Sequence, residues 1–234
     1  MKMKNKKNEQ LAAKQKHRAQ LKANRRTEPN FERATPKLIE KPTILIVCEG
    51  ENTEPTYFNQ FRLSSATVKP IGEGYNTTSL VNRAIQLANQ GKYDQVWCVF
   101  DKDDFNENDF NNAILIAEAN KFGVAYSNQA FEYWLILHFD DHQGSGMHRD
   151  NYNEKINNLL KPFKITYDGT KSKKISEDFF DLLDGIDEKT NVKRIELAIR
   201  RAERIYEQLD NTNPAKEESS TTVFRLVKEL LKYI

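Results

Sequence analysis

The sequence predicts an α/β protein in which a small parallel sheet is flanked by helices. Two continuous apolar runs, at residues 43–48 and 95–100, are rich in β-branched and aromatic residues, as in strands that are covered on both faces. Segments with helical spacing separate these runs from each other and from two weaker strand candidates. This alternation of strand and helix is typical of a parallel, helix-covered sheet.

The predicted elements of the first half follow one another in a regular order. Strands are predicted at residues 43–48, 67–71, 95–100 and 124–127. Helices are predicted between them at residues 53–63, 78–89 and 109–121. Asn52 or Thr53 is placed to cap the first helix, and Pro55 falls in its first turn, where proline is tolerated. Gly91 and Gly123 follow the other two helices, as glycine commonly does at a helix C-terminus.

The second half of the sequence is mostly helical. Residues 129–139 form a strongly apolar segment that we interpret as a helix, with a strand as the lesser alternative. Further helices are predicted at residues 152–160, 176–183, 188–209 and 219–234. In the longest of them, 188–209, apolar residues recur every three or four positions, which is the spacing of one packed face.

Charge divides the chain into unequal parts. Residues 1–41 carry 13 Lys and Arg against four Asp and Glu, a net charge of +9, whereas the remaining 193 residues have a net charge of −7. The first 26 residues also contain few apolar side chains that could pack against a core. We therefore predict a flexible basic arm at residues 1–41, an α/β core at 42–140 and a helical extension packed on that core at 141–234.

Composition excludes several classes of protein. No apolar run approaches the ~20 residues that span a bilayer, so we expect no membrane contact. The charged N-terminus lacks the apolar stretch of a secretory signal. Cys48 and Cys98 lie inside the two apolar runs, where we expect small, reduced core residues rather than a disulfide or a zinc site. These features predict a cytoplasmic protein.

Acidic residues follow both apolar strands, at the position where functional groups gather in open α/β sheets. Glu49 comes directly after the first strand, and Asp101 and Asp103 follow the other. The two aspartates project to the same side if the strand continues through them. Because neighbouring carboxylates repel one another unless a cation lies between them, the pair predicts a site for Mg²⁺ or Mn²⁺. Glu49 could complete this site or act as a general base. The alternative is that these acids cap the next helices or face solvent.

Four blocks of the sequence resemble the RloB-like family. They are LIVCEGENTEPTYF at 45–58, VWCVFDKDD at 96–104, AYSNQAFEYWLILHF at 125–139 and SSTTVFRLVKELL at 219–231. That family is linked to abortive infection and to genes carried beside restriction-modification loci. Its core resembles the Toprim fold, the metal-binding domain of primases, topoisomerases and OLD-type nucleases. The resemblance therefore implies a Toprim-type sheet at residues 42–140.

The resemblance also implies roles for individual residues. Glu49 corresponds to the Toprim glutamate, and Asp101 and Asp103 correspond to the paired aspartates that hold Mg²⁺ for phosphodiester chemistry. Further polar or aromatic members of the family's blocks are Glu51, Thr53, Glu54, Asn128, Glu132, Trp134 and His138. One departure is that an extra Lys-Glu-Glu segment separates Asn213-Pro214 from the final Ser/Thr run, which weakens any role for Asn213.

Glu132 is a fourth candidate catalytic residue beside Glu49, Asp101 and Asp103. It lies within the apolar segment 129–139, where an ionised carboxylate needs a partner. It could pair with an arginine or a backbone amide as a structural residue, or it could contribute to the metal site. In the same segment, His138 is either a buried interior histidine or a catalytic acid.

Two groups of basic residues are candidates for nucleic-acid binding. They are Lys16, Arg18, Arg25 and Arg26 in the arm, and Lys171, Lys173 and Lys174 in a later loop. A segment of charge +9 gains affinity for nucleic acid through counterion release. The alternatives are a solvated tail that aids solubility, or docking of the arm onto an acidic protein.

Two functional hypotheses follow. The first is a Mg²⁺-dependent nuclease that acts on DNA or RNA, tRNA included, in bacterial anti-phage defence. The second is a non-catalytic subunit of a defence system that binds nucleic acid or a partner ATPase. No segment resembles the phosphate-binding loop of an ATPase, so such an ATPase would be a separate protein.

Overall fold

The computed structural model describes residues 12–20, 22, 41–71, 77–103 and 106–234. The chain divides into two compact units, Met1–Glu40 and Lys41–Ile234. In the first unit, residues 12–20 are helical and exposed, and they include Lys16 and Arg18. Arg25 and Arg26 lie outside the described residues.

A four-stranded parallel sheet with the order β2-β1-β3-β4 forms the centre of the second unit. Its strands are β1 (Ile44–Cys48), β2 (Ala66–Pro70), β3 (Gln95–Lys102) and β4 (Gly123–Asn128). In the register, Ile44 of β1 pairs with Ala66 of β2 and with Gln95 of β3. The predicted α/β class and all four predicted strands are confirmed.

Eight α-helices lie in the described part of the second unit. They are α1 (Thr53–Asn59), α2 (Thr77–Gln90), α3 (Glu107–Ala119), α4 (Glu132–Leu137), α5 (Tyr152–Leu160), α6 (Glu177–Asp184), α7 (Arg194–Glu207) and α8 (Val223–Leu230). None of these described helices is both long enough and apolar enough to cross a membrane.

The sheet separates two hydrophobic cores because side chains along a strand alternate between its faces. Ile44 and Ile46 of β1 face the larger core, which contains residues of α1 and of all the helices from α4 to α8. Leu45 and Val47 face the smaller core, which α2 and α3 cover. Every residue of β1 is buried, which explains the unbroken apolar run in the sequence. Cys48 and Cys98 are buried free thiols.

The helix predicted at 129–139 is shorter than predicted. Gln129 has a left-handed backbone with φ of +86°, and its N–H donates a hydrogen bond to the Lys102 carbonyl at 3.0 Å. Helix α4 therefore begins only at Glu132. The chain turns sharply at the end of β4, so that α4 starts beside the end of β3.

The helix predicted at 188–209 also begins later, at Arg194. A short antiparallel pair, β5 (Ile186–Asp187) and β6 (Val192–Lys193), precedes it. The Asp187 carboxylate accepts hydrogen bonds from both the N–H and the hydroxyl of Thr190, each at 2.9 Å. Such local side-chain bonds compete with helix formation, which the apolar spacing alone did not indicate.

Residues 219–222, predicted to be helical, instead run along the outer edge of β4. Asn128 donates its N–H to the Ser220 carbonyl, and Thr222 donates its N–H to the Tyr126 carbonyl, both at 2.8 Å. The Thr222 hydroxyl oxygen accepts the Tyr126 N–H at 2.9 Å. The Ser/Thr run thus covers an edge strand whose backbone groups would otherwise lack partners. Helix α8 begins immediately afterwards, at Val223.

Candidate functional site

A cavity of about 330 Å³ lies where β1 and β3 end. Six carboxylates from the described residues line it, and they are those of Glu49, Glu51, Glu54, Asp101, Asp103 and Glu132. Because β1 and β3 are adjacent and parallel, the acids that follow them fall at the same edge of the sheet. The structure therefore brings all four predicted catalytic residues to one cavity and adds Glu54 and Glu51.

Glu49 is fixed against the end of β3 by its backbone and by its side chain. Its N–H donates to the Val99 carbonyl at 2.9 Å, and its Oε2 accepts the Asp101 N–H at 3.1 Å. Burial raises the pKa of Glu49 to about 7 despite the Asp101 N–H, which acts in the opposite direction. Nearby Asp103 and Glu54 raise this pKa further, and Arg149 lowers it. Glu49 thus exchanges a proton near neutral pH.

Asp101 is the last residue but one of β3, and Asp103 follows the strand. Asp101 Oδ2 accepts the Phe131 N–H at 3.1 Å, which ties it to the start of α4. Burial raises the pKa of Asp101 well above its ordinary range, and the carboxylates of Glu54, Glu132 and Glu49 add to this shift. Asp103 lies 3.8 Å from a guanidinium nitrogen of Arg149.

Glu54 lies in the first turn of α1 and is only 5% exposed. Burial raises its pKa to about 7, and the nearby Glu132 carboxylate contributes in the same direction. A Cβ atom at Gly50 would lie within 3.0 Å of the Glu54 carboxylate, so glycine at this position lets the Glu54 side chain pack against the backbone. Asn52 occupies the N-cap position, as one of the two predicted candidates, but its side chain makes no capping hydrogen bond.

The partner of Glu132 is a tyrosine, rather than the arginine or backbone amide considered from the sequence. The Tyr167 hydroxyl donates to Glu132 Oε1 at 2.7 Å, and its oxygen lies 3.3 Å from the Thr53 hydroxyl oxygen. Tyr167 is itself buried. The extension thus positions Glu132 while leaving its carboxylate in the cavity wall.

Two cationic side chains, Arg149 and Lys173, also line the cavity. Lys173 is one of the three lysines predicted to bind nucleic acid. Lys171 of the same loop is exposed and is not among the lining residues, and Lys174 lines a separate open pocket with Thr56. Nothing in the sequence pointed to Arg149 or Tyr167, because each lies in a polar segment without periodicity.

Other polar residues in or near the four sequence blocks make contacts that support the fold. The Asn128 side chain donates to the Pro214 carbonyl at 2.8 Å, and Asn213 accepts a hydrogen bond from Asn111 at 2.8 Å. His138 is buried, with Nδ1 2.9 Å from the Trp134 carbonyl oxygen. Burial lowers the pKa of His138 to about 3, so the ring is neutral and Nδ1 carries the proton that it donates.

The donor set of the cavity suits a hard divalent cation because it consists of carboxylate oxygens. Burial, and then the neighbouring carboxylates, raise the pKa values of Glu49, Glu54 and Asp101, so a cation bound beside them would favour their ionised forms. However, no three His, Cys, Asp or Glu side chains of the described residues stand in an arrangement ready to hold a metal ion.

A model of the RloB-like protein family matches residues 44–230. The chain belongs to the RloB-like protein family. No curated protein and no solved structure shows a significant match to it. The region matched to the RloB-like family includes both the sheet and the extension, so every residue lining the cavity lies within it.

Proposed function

We propose that this RloB-like protein is a Mg²⁺- or Mn²⁺-dependent nuclease that cleaves phosphodiester bonds of DNA or RNA in anti-phage defence. The proposal rests on one observation, the convergence of Glu49, Asp101 and Asp103 on a single cavity at the ends of two adjacent parallel strands. The same trio corresponds to the metal-binding acids of Toprim enzymes, and we assign the sheet to that type.

Asp101 and Asp103 would hold the proposed cation, with Glu49 completing the site. Burial, together with nearby carboxylates, raises the pKa values of Glu49 and Asp101, so a bound cation would favour the ionised form of both. When bound, the cation would stabilise the negative charge that develops on the phosphate oxygens in the transition state and would lower the pKa of a bound water molecule.

Glu49 is the candidate general base. Its pKa of about 7 allows it to accept a proton from an attacking water molecule near neutral pH. The Asp101 N–H holds one of its oxygens and so fixes the orientation of the carboxylate. Glu132, held by Tyr167, would help to bind the cation or the water.

The direct test compares the wild-type protein with Asp101→Asn on DNA, RNA and tRNA, with Mg²⁺ or Mn²⁺. Asparagine keeps an oxygen that can accept the Phe131 N–H, so the fold should be retained. Cleavage should fall by at least ~10²-fold, since a charge that acts in the transition state is removed. Asp181→Asn, on the exposed side of α6, is the matched control and should cleave at the wild-type rate.

A non-catalytic subunit that binds nucleic acid or a partner ATPase is the second candidate. It is favoured by the absence, among the described residues, of three side chains already arranged around a metal position. Unchanged cleavage by Asp101→Asn, or no cleavage by the wild-type protein with either cation, would reject the nuclease and favour this candidate.

A further inference from the structure

Part of the cavity wall comes from the extension rather than from the sheet. Arg149, Tyr152, Asn153, Gly169 and Lys173 contribute it. The carboxylates come from the ends of β1 and β3, from α1 and from α4, whereas this part supplies two cationic side chains. One cavity thus contains groups suited to a cation and groups suited to an anion.

Arg149 is held by its backbone, which leaves its side chain to reach the carboxylates. Its N–H donates to Gln129 Oε1 at 3.3 Å. The guanidinium approaches Asp103 no closer than 3.8 Å, which is beyond hydrogen-bond distance, and the side chain is 34% exposed. Arginine in this geometry retains donors in a planar fork that matches phosphate oxygens.

Lys173 is positioned by a tightly bonded loop. Its N–H donates to the Asp168 carbonyl at 2.8 Å, and its own backbone is left-handed, with φ of +49°. The Asp168 carboxylate accepts the N–H groups of Lys171 and Ser172 at 3.0 and 3.2 Å. The Lys173 side chain is half-buried, and its ammonium group makes no ion pair within the part of the chain that the structure describes.

We propose that Arg149 and Lys173 form a phosphate subsite that binds the non-bridging oxygens of a phosphodiester in the acidic cavity. The inference rests on the proposed function and names the residues that make such a cavity accept its substrate. Six carboxylates would repel a polyanion, so anion-binding groups must face the same space. The side chains of Arg149 and Lys173, two cations without close, hydrogen-bonded partners among the described residues, meet that requirement.

The test uses Arg149→Ala and Lys173→Gln, with controls matched in residue type. Lys164→Gln replaces an exposed lysine of the extension that also has a left-handed backbone, with φ of +58°. Arg200→Ala removes an exposed arginine whose ion pair is with Glu196 on the same helix. Thermal unfolding verifies that each variant is folded.

Two readouts are needed. The first is the affinity for fluorescein-labelled single-stranded DNA and RNA, measured by anisotropy against KCl concentration with EDTA present. Each cavity variant should lower the slope of log K against log[KCl] by about 0.7. The second is the single-turnover cleavage rate with Mg²⁺, which each cavity variant should lower by ~10²-fold. Both controls should retain the wild-type slope and rate.

Retention of slope and rate by the cavity variants would overturn the subsite, as would equal losses in the control variants. The two proposals can fail separately. If Asp101→Asn abolishes cleavage while Arg149→Ala and Lys173→Gln do not affect it, only the subsite is wrong. If the wild-type protein cleaves nothing, the nuclease is wrong, and the salt slope alone decides the subsite.

Discussion

Glu54→Gln should stabilise the metal-free protein at and above neutral pH. Glu54 is 5% exposed, and its pKa is raised from 4.5 to about 7, first by burial and then by the Glu132 carboxylate. A shift of this size corresponds to about 3 kcal/mol that the ionised carboxylate costs the folded state. This figure is an upper bound, because neighbouring carboxylates share the protons. Glutamine has the same shape without the charge.

The sign of the pH dependence follows from the raised pKa. Below the unfolded-state pKa near 4.5, Glu54 is protonated in both states and costs nothing. As the pH rises toward 7, the unfolded chain ionises more readily than the folded protein, so the free energy of unfolding decreases. The loss becomes complete only once the pH has risen about one unit above the folded-state pKa of about 7. Glu49, whose pKa is also about 7, contributes a loss of the same sign.

The assay is urea unfolding of both proteins between pH 4.5 and 8 with EDTA, repeated with Mg²⁺. The wild-type protein should lose stability with rising pH, and Glu54→Gln should lose less. Thermal unfolding at pH 8 should show a melting temperature roughly 6–12 °C higher for the variant than for the wild-type protein, if the whole of about 3 kcal/mol is recovered. Mg²⁺ should stabilise the wild-type protein more than the variant. A wild-type stability that rises from pH 5 to 7.5, or a variant less stable than the wild type at pH 8, would refute the reasoning.

Two further substitutions test the contacts that support the site and the sheet. Tyr167→Phe removes the 2.7 Å hydrogen bond to Glu132. It should lower the free energy of unfolding by about 1–2 kcal/mol and weaken Mg²⁺ binding by roughly 10-fold, as measured by urea unfolding and calorimetry. Unchanged Mg²⁺ affinity would show that Glu132 does not act at a cation. Thr222→Val keeps the shape of the side chain but leaves the Tyr126 N–H of β4 without its acceptor. This substitution should lower the free energy of unfolding in urea by about 1–3 kcal/mol and should speed hydrogen exchange of the Tyr126 amide. Wild-type protection of that amide in the variant would contradict the assigned contact.

Local pattern was sufficient to predict β1 and β4 because each buries a short continuous run, all five residues in β1 and five of six in β4. The run at 44–48 is apolar throughout because β1 has a core on both sides. The same local pattern failed at residues 219–222. Their bonds to β4 join positions more than 90 residues apart, and no periodicity within the segment indicates such a contact.

The sequence by itself determined the α/β class, the four parallel strands and the acids that follow β1 and β3. Burial patterns are local, and parallel strands end at the same edge of a sheet, so Glu49 and Asp101 could be placed at one edge without a structure. That β1 and β3 are neighbours in the sheet is shown by the structure alone. Only the tertiary structure decided which residues face those acids. Arg149 and Lys173 line the cavity, and Tyr167 donates a hydrogen bond to Glu132 in its wall, because the extension packs into the same core as α1. Side chains brought together from distant segments share no local pattern, and their meeting depends on how the whole extension packs.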